Sequence, residues 1–185
     1  MRNCEQTKGM SVLEHGESVW KYYQDLISYM QTGNSDLEWR FPDWINDYKE
    51  QLLENQHDLE TVEEYTVFHD CGKPFCREVD EDGRVHFPNH AEVSKQTYLD
   101  HTDNETVANL IGWDMAYHVF NAAQIEEHCK DVWDVKDVFT LLLVALSEVH
   151  SNASMFGGIE SVSFKSKWKR LNRRGRAVCK MNFGG

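Results

Sequence analysis

The chain has 185 residues, a hydrophobic content of 41% and a formal net charge of −12. This length suits one domain with a substantial core, and the hydrophobic content excludes disorder as the main state. No apolar run approaches the ~20 residues that a membrane span needs, and the first residues do not resemble a signal peptide. We therefore expect a soluble, cytoplasmic protein.

Hydrophobic periodicity predicts an all-α chain. Apolar side chains recur at helical spacing from Ser11 to Gln31. Short alternating segments between Phe75 and Phe87 predict a small β-hairpin or loop insertion. Asn104 and Asp134 precede helical patterns and are expected to be N-caps. The other predicted helices are 43–55, 59–71, 89–101, 105–119, 124–130 and 134–153, which together predict a single helical bundle.

A strongly basic segment follows the predicted bundle. Residues 165–180 contain eight basic residues and no acidic residue, although the whole chain is acidic. Gly157 and Gly158 separate this segment from the last predicted helix, which predicts a domain over 1–158 and a C-terminal segment over 159–185. The segment either contacts an anionic partner such as a nucleic acid or balances the acidic body within the chain.

Four predicted helices carry a histidine or an aspartate on their apolar stripe, and these residues are His15, His69, Asp114 and His150. An ionisable group that faces a core is costly unless it is paired or binds a metal. The recurrence on four helices therefore predicts a metal site. Imidazole and carboxylate ligands without thiolate fit one or two ions of Mn²⁺, Ni²⁺, Co²⁺, Fe²⁺, Zn²⁺ or Mg²⁺.

The segment Phe68-His69-Asp70-Cys71-Gly72-Lys73-Pro74 resembles the HD superfamily of metal-dependent phosphohydrolases. His15 stands upstream and His90 downstream, as in that family. The Gly-Lys-Pro sequence after the doublet is similar to the helical domains of tRNA nucleotidyltransferases and of RNA-end repair enzymes. The resemblance covers roughly residues 11–153 and implies an HD-type helical bundle.

Two positions depart from the family pattern. Many relatives have a histidine-aspartate pair where this chain has Trp113-Asp114, so one ligand of a second metal is replaced. The last family aspartate falls at His150, which we prefer to Glu148 as the ligand. The resemblance thus implies His15, His69 and His150 as ligands of one ion and His90 and Asp114 as ligands of a second, with Asp70 bridging the two.

Basic residues after the doublet fit a phosphate substrate. Lys73 is expected to stabilise charge on phosphoryl oxygens, and Arg77 is expected to clamp a phosphate. His118 lies one helical turn from Asp114 and is a candidate for substrate binding or proton transfer. Asp70 and Lys73 are the predicted catalytic residues.

The expected activity is metal-dependent hydrolysis of a phosphoester in a nucleotide or at a nucleic-acid end, for example a terminal or 2′,3′-cyclic phosphate. The expected nucleophile is a water that the metal activates. Two alternatives remain open at this stage. The protein is either a nucleotidase or deoxynucleoside triphosphohydrolase that acts on free nucleotides, or a non-catalytic nucleotide-binding module with an eroded HD site.

Overall fold

The computed structural model describes residues 1–7 and 9–183, and most of them lie in α-helices. The all-α class predicted from the sequence is confirmed. Within the described residues, no helix is both long enough and apolar enough to cross a membrane. The helices are α1 (Val12–Thr32), α2 (Lys49–Glu54), α3 (Leu59–Phe68), α4 (His90–Leu99), α5 (Glu105–Trp113), α6 (Ala116–Val119), α7 (Ala122–Asp131), α8 (Val135–Ser151) and α9 (Val162–Cys179).

Two small antiparallel hairpins accompany the helices. Strand β1 (Glu5–Thr7) pairs with β2 (Met10–Ser11), and β3 (Glu78–Val79) pairs with β4 (Val85–His86). The second hairpin confirms the predicted insertion, and its turn contains Gly83 at a φ of 77°. The first hairpin was not predicted from the sequence.

Several helix boundaries differ from the prediction. Residues 43–47 form turns, so the predicted helix 43–55 is reduced to α2. The predicted helix 105–119 is divided into α5 and α6. The two predicted N-caps are confirmed, because each side chain accepts a hydrogen bond from the backbone amide three residues later. The caps depend on contacts between neighbouring residues. The shortening of the predicted helix 43–55 and the division of the predicted helix 105–119 do not.

Two compact units divide the chain. Unit 1 comprises Met1–Trp20 and Leu59–Asp114, and unit 2 comprises Lys21–Asp58 and the chain from Met115 onward. The predicted division at residue 158 stays a prediction. Within unit 2, α9 packs on α6, α7 and α8, so this basic helix belongs to a folded unit.

Each unit has its own apolar core. In unit 1, α5 contacts α3 and α4 and buries Val107, Leu110 and Ile111. In unit 2, α8 is buried on almost every side, including all residues from Leu141 to Leu146. A helix that is apolar all round is stable only when protein surrounds it, and α6 and α9 pack on α8 accordingly.

Candidate metal centre

Three imidazoles surround the carboxylate of Asp70 in unit 1. Oδ2 of Asp70 lies 3.2 Å from Nε2 of His69 and 3.7 Å from Nε2 of His15. Oδ1 lies 3.8 Å from Nε2 of His90. Asp70 is only 1% exposed, and a buried carboxylate is costly unless its charge is compensated. The structure therefore brings together four of the residues that the sequence singled out.

Backbone carbonyl groups fix the orientation of two of these imidazoles. Nδ1 of His69 donates to the carbonyl of Thr66 at 2.7 Å, and Nδ1 of His90 donates to the carbonyl of Phe87 at 3.1 Å. Because a carbonyl oxygen can only accept, Nδ1 carries the proton of each neutral ring, and Nε2 presents its lone pair. Histidines that bind metals usually make this second hydrogen bond through the other nitrogen.

Two glycines allow the segments of this site to approach closely. A Cβ on Gly16 in α1 would lie 2.5 Å from the carbonyl oxygen of Val67 in α3. A Cβ on Gly72 would lie 2.4 Å from the backbone nitrogen of Ser94 in α4. No other residue type fits without moving a backbone. The two glycines thus bring α1 against α3 and the turn after Asp70 against α4.

The start of α4 places His90. Ser94 in this helix accepts a hydrogen bond from the amide of Gly72 at 3.0 Å, which fixes α4 against the turn that carries Asp70. Asn89, the N-cap, has a φ of 53°, a left-handed conformation in which asparagine is several-fold enriched. The side chain of His90 is 20% exposed, so the cluster has one accessible side.

Lys73 is buried beside Asp70. Its Nζ lies 2.5 Å from Oδ2 of Asp70 and 3.0 Å from Oε1 of Gln6, and it lies 5.4 Å from the ring centre of Phe87. Lys73 is 7% exposed. The ammonium therefore compensates the charge of Asp70, and its expected role toward phosphoryl oxygens stays a prediction.

The basic side chains around Asp70 offset the effect of burial on its pKa. Burial alone raises the pKa of a carboxyl group. Against this, the imidazole of His69 when protonated, the ammonium of Lys73 and the imidazole of His15 when protonated hold the pKa of Asp70 well below its usual range. Asp70 is therefore ionised at neutral pH, which is the form that binds a cation.

Two further predicted residues lie in unit 1. Asp114 is 5% exposed, and its Oδ1 accepts a hydrogen bond from Oη of Tyr65 at 2.7 Å. This bond holds the carboxylate of Asp114 in the interior of the unit. Arg77 is exposed and forms no ion pair with any residue that the structure describes. Its guanidinium therefore remains accessible to an anion.

His150 lies in the core of unit 2, and its two ring nitrogens both bind backbone groups. Nδ1 donates to the carbonyl of Leu146 at 2.7 Å, and Nε2 accepts from the amide of Arg40 at 3.2 Å. The rings of Trp39 and Phe164 pack on it with centroids at 4.2 and 5.1 Å. Burial lowers the pKa of His150 to about 4. In this arrangement Nε2 already uses its lone pair, and the role of His150 as a metal ligand stays a prediction.

His118 also lies in unit 2. Its Nε2 is 2.9 Å from Oε2 of Glu148, and its backbone carbonyl accepts a hydrogen bond from Arg170 at 3.1 Å. Both side chains of the His118–Glu148 pair are half-buried. The expected role of His118 toward a substrate stays a prediction.

Sequence analysis missed a group at the start of α8 in unit 2. One ligand-type atom from each of His57, Asp134 and Asp137 lies within 4.8 Å of the other two. Nε2 of His57 is 2.8 Å from Oδ1 of Asp137, and the two aspartates form a reciprocal cap on α8. These hydrogen bonds account for the group without a cation. Only the capping pattern was visible in the sequence, because His57 is far away along the chain.

The protein thus contains histidine and carboxylate groups that could hold a metal ion. In unit 1 the donor set comprises imidazole nitrogens and carboxylate oxygens, which suit divalent cations from Mn²⁺ to Zn²⁺. Comparisons with protein-family models, with curated proteins and with solved structures gave no match to this chain.

Proposed function

We propose that the protein is a metal-dependent phosphohydrolase whose divalent cation is held by Asp70, His15, His69 and His90. The observation that carries the proposal is the buried carboxylate of Asp70, which has three imidazole Nε2 atoms at 3.2–3.8 Å. Imidazole and carboxylate groups on one unit are the ligands of catalytic sites for first-row transition metals.

The direction of the lone pairs favours a cation over a purely structural network. Nδ1 of His69 and Nδ1 of His90 both donate to carbonyl oxygens, so the Nε2 atoms of the neutral rings are acceptors. These acceptors face the oxygens of Asp70, which can only accept as well. Such groups repel one another unless the rings take up protons or a cation lies between them. A divalent cation satisfies all of them at neutral pH.

Each residue of the cluster has a part in the proposed reaction. When bound, a divalent cation activates water as a nucleophile and stabilises charge on phosphoryl oxygens. Asp70 and the imidazoles orient the site in a buried environment, where electrostatic interactions are strong. Lys73 is a positioning residue that holds Asp70 ionised. Arg77 binds the substrate phosphate, and Asp114 serves a second ion where one binds.

We propose a nucleotide or a nucleic-acid end as the substrate, with α9 as a contact for the polyanion. Several basic residues of α9 already have partners within unit 2. Arg174 donates to the carbonyl oxygens of Tyr117 and Phe120, and Arg176 pairs with Asp43. These cations therefore make contacts within the unit.

Other basic residues in and next to α9 support the second interpretation. Lys169 and Arg173 in α9 and Lys180, its C-cap, are exposed and form no ion pair with any described residue. Their spacings of four and seven residues place them on one face of the helix and its C-cap. A row of cations without acidic neighbours on the same helix matches the charge of a phosphate backbone. Free nucleotides remain the alternative substrate.

Elemental analysis and a substrate panel test the proposal. The protein is purified without chelator, and its content of Mn, Fe, Co, Ni and Zn is measured. It is then assayed with Mn²⁺ or Ni²⁺ on phosphodiester, phosphomonoester, 2′,3′-cyclic and triphosphate substrates, with Asp70→Asn as the inactive control. Less than about a tenth of an equivalent of metal after reconstitution would contradict the proposal. Equal hydrolysis by Asp70→Asn would contradict it as well.

A further inference from the structure

A cleft of about 350 Å³ opens in unit 1. Its walls are mostly apolar, and it is large enough for a small planar molecule. Two of the residues that line the cleft flank the His69–Asp70 doublet: Phe68 precedes the doublet, and Cys71 follows it. The chain segment that carries the proposed metal ligands therefore also forms part of this cleft.

Aromatic side chains dominate the wall of the cleft. Phe75 is 75% exposed and Phe68 is 37% exposed, which is unfavourable for large apolar side chains that have no ligand to cover them. The rings of Phe68 and Tyr98 lie with their centroids 6.2 Å apart. Exposed aromatic rings around a cleft provide faces on which a flat ring can stack.

The carboxylate of Glu64 lines the cleft. Tyr98 is 5% exposed, and its hydroxyl oxygen is fully buried, so that a ligand in the cleft does not reach it. Burial, together with hydrogen bonding to Glu64, raises the pKa of Tyr98 to about 12, so the hydroxyl keeps its proton. Oε2 of Glu64 accepts a hydrogen bond from Asn104 at 3.2 Å, which holds the carboxylate in place as an acceptor.

We propose that this cleft binds the base of a nucleoside or nucleotide, which stacks on Phe68 and Phe75 and directs an N–H donor to the carboxylate of Glu64. The edge of a nucleobase carries N–H donors, which complement this acceptor. A purely apolar ligand would cover the carboxylate of Glu64 without a hydrogen bond, at a cost in affinity. The assignment rests on the proposed function only for the choice of a nucleotide among aromatic heterocycles.

Binding of free nucleosides tests the site separately from catalysis. The full chain is treated with EDTA, and adenosine, guanosine, cytidine and uridine are titrated by calorimetry, with ribose 5-phosphate and phenol as comparison probes. At least one nucleoside is expected to bind, more tightly than either comparison probe. Phe75→Ser should weaken that binding tenfold or more, since stacking on one aromatic ring contributes on this scale. Glu64→Gln should change which nucleoside binds best.

Val79→Ser is the matched control, because it removes an exposed apolar side chain of the same unit. It should leave nucleoside affinity unchanged. Failure of all four nucleosides to bind, or equal affinity in wild type and Phe75→Ser, would overturn the site. Binding of phenol as tight as that of the best nucleoside would also overturn it. None of these readouts depends on metal or on hydrolysis, so a failure here is distinguishable from a failure of the proposed enzyme.

Discussion

Nε2 of His15 lies 3.7 Å from Oδ2 of Asp70, although His15 is in α1 and Asp70 follows α3 in the chain. Both side chains are at most 1% exposed. At this depth a lone charge is strongly destabilising, so a cation near Asp70 affects both function and stability.

Asp70→Asn should weaken binding of Mn²⁺ by at least about 100-fold and abolish hydrolysis. The reason is that the variant removes the anionic ligand at the centre of the cluster, where even supporting residues contribute about 10–100-fold in affinity. Calorimetric titration and single-turnover assays measure the two effects, and circular dichroism reports on the fold. Asp103→Asn, which changes an exposed carboxylate of the same unit, should behave as wild type. Unchanged Mn²⁺ affinity in Asp70→Asn would place the cation elsewhere.

Gly72→Ala should lower the free energy of unfolding by about 2 kcal/mol or more, because the new Cβ has to displace a backbone. It would lie 2.4 Å from the backbone nitrogen of Ser94. Gly112→Ala is the control, since its Cβ meets only the side chain of Lys95, at 2.9 Å. Alanine in a helix favours folding by about 0.5–1 kcal/mol over glycine, so this control should be neutral or slightly stabilising. Urea unfolding measures both variants, and equal effects would contradict the close contact.

Lys73→Gln should destabilise the protein more in EDTA than in saturating Mn²⁺. Without the ammonium, the buried carboxylate of Asp70 loses its neighbour at 2.5 Å, and breaking such a pair costs about 3–5 kcal/mol. A bound cation compensates the same charge, so the loss should be smaller with metal. Lys95→Gln, which removes a half-buried lysine bound to Asn109, should show no such difference. An equal loss in both conditions would mean that no cation binds at Asp70.

Stability should fall as the pH is lowered from about 6.5 to about 4, with His150 as one cause. Its pKa is about 4 in the folded protein, against an ordinary value of 6.5. The unfolded chain therefore binds more protons across this window. The contribution of His150 is complete above pH 6.5 and amounts to about 3 kcal/mol.

His150→Gln removes this titration and keeps a side chain that can accept the hydrogen bond from Arg40. The free energy of unfolding of the variant should therefore depend less on pH between 7 and 4 than that of wild type. Its Mn²⁺ affinity should be unchanged, whereas His69→Gln should weaken it. A loss of Mn²⁺ affinity in His150→Gln would restore His150 as a ligand.

Replacing Lys169, Arg173 and Lys180 by glutamine should flatten the salt dependence of oligonucleotide binding. Three neutralised contacts should reduce the slope of log K against log salt by about 2 for a single strand. Unfolding free energy should stay close to wild type, because the partnered cations of α9 remain. The control is a triple replacement of Lys21, Lys49 and Lys136, which lie in the same unit and are exposed. Equal slopes in the two triple variants would contradict a contact at Lys169, Arg173 and Lys180, because the change in net charge alone would explain both slopes.

Local signals in the sequence determined the helical class and much of the candidate site. Asn104 and Asp134 cap helices through side-chain bonds to amides three residues away, and such contacts are readable from neighbouring residues. The histidine-aspartate doublet and the upstream and downstream histidines marked residues that do converge on one carboxylate. Helical spacing predicted that the side chains of His15 and His69 face inward, since the period of a helix fixes its faces.

Tertiary packing alone decided what each inward-facing residue does. His69 and His150 look alike in sequence, since both lie on apolar stripes. In the structure, both also donate Nδ1 to a carbonyl oxygen of the preceding turn. They differ because the amide of Arg40, far away along the chain, donates to Nε2 of His150, whereas Nε2 of His69 faces the carboxylate of Asp70. Periodicity specifies a face of a helix, but the partner on that face depends on which distant segment packs there.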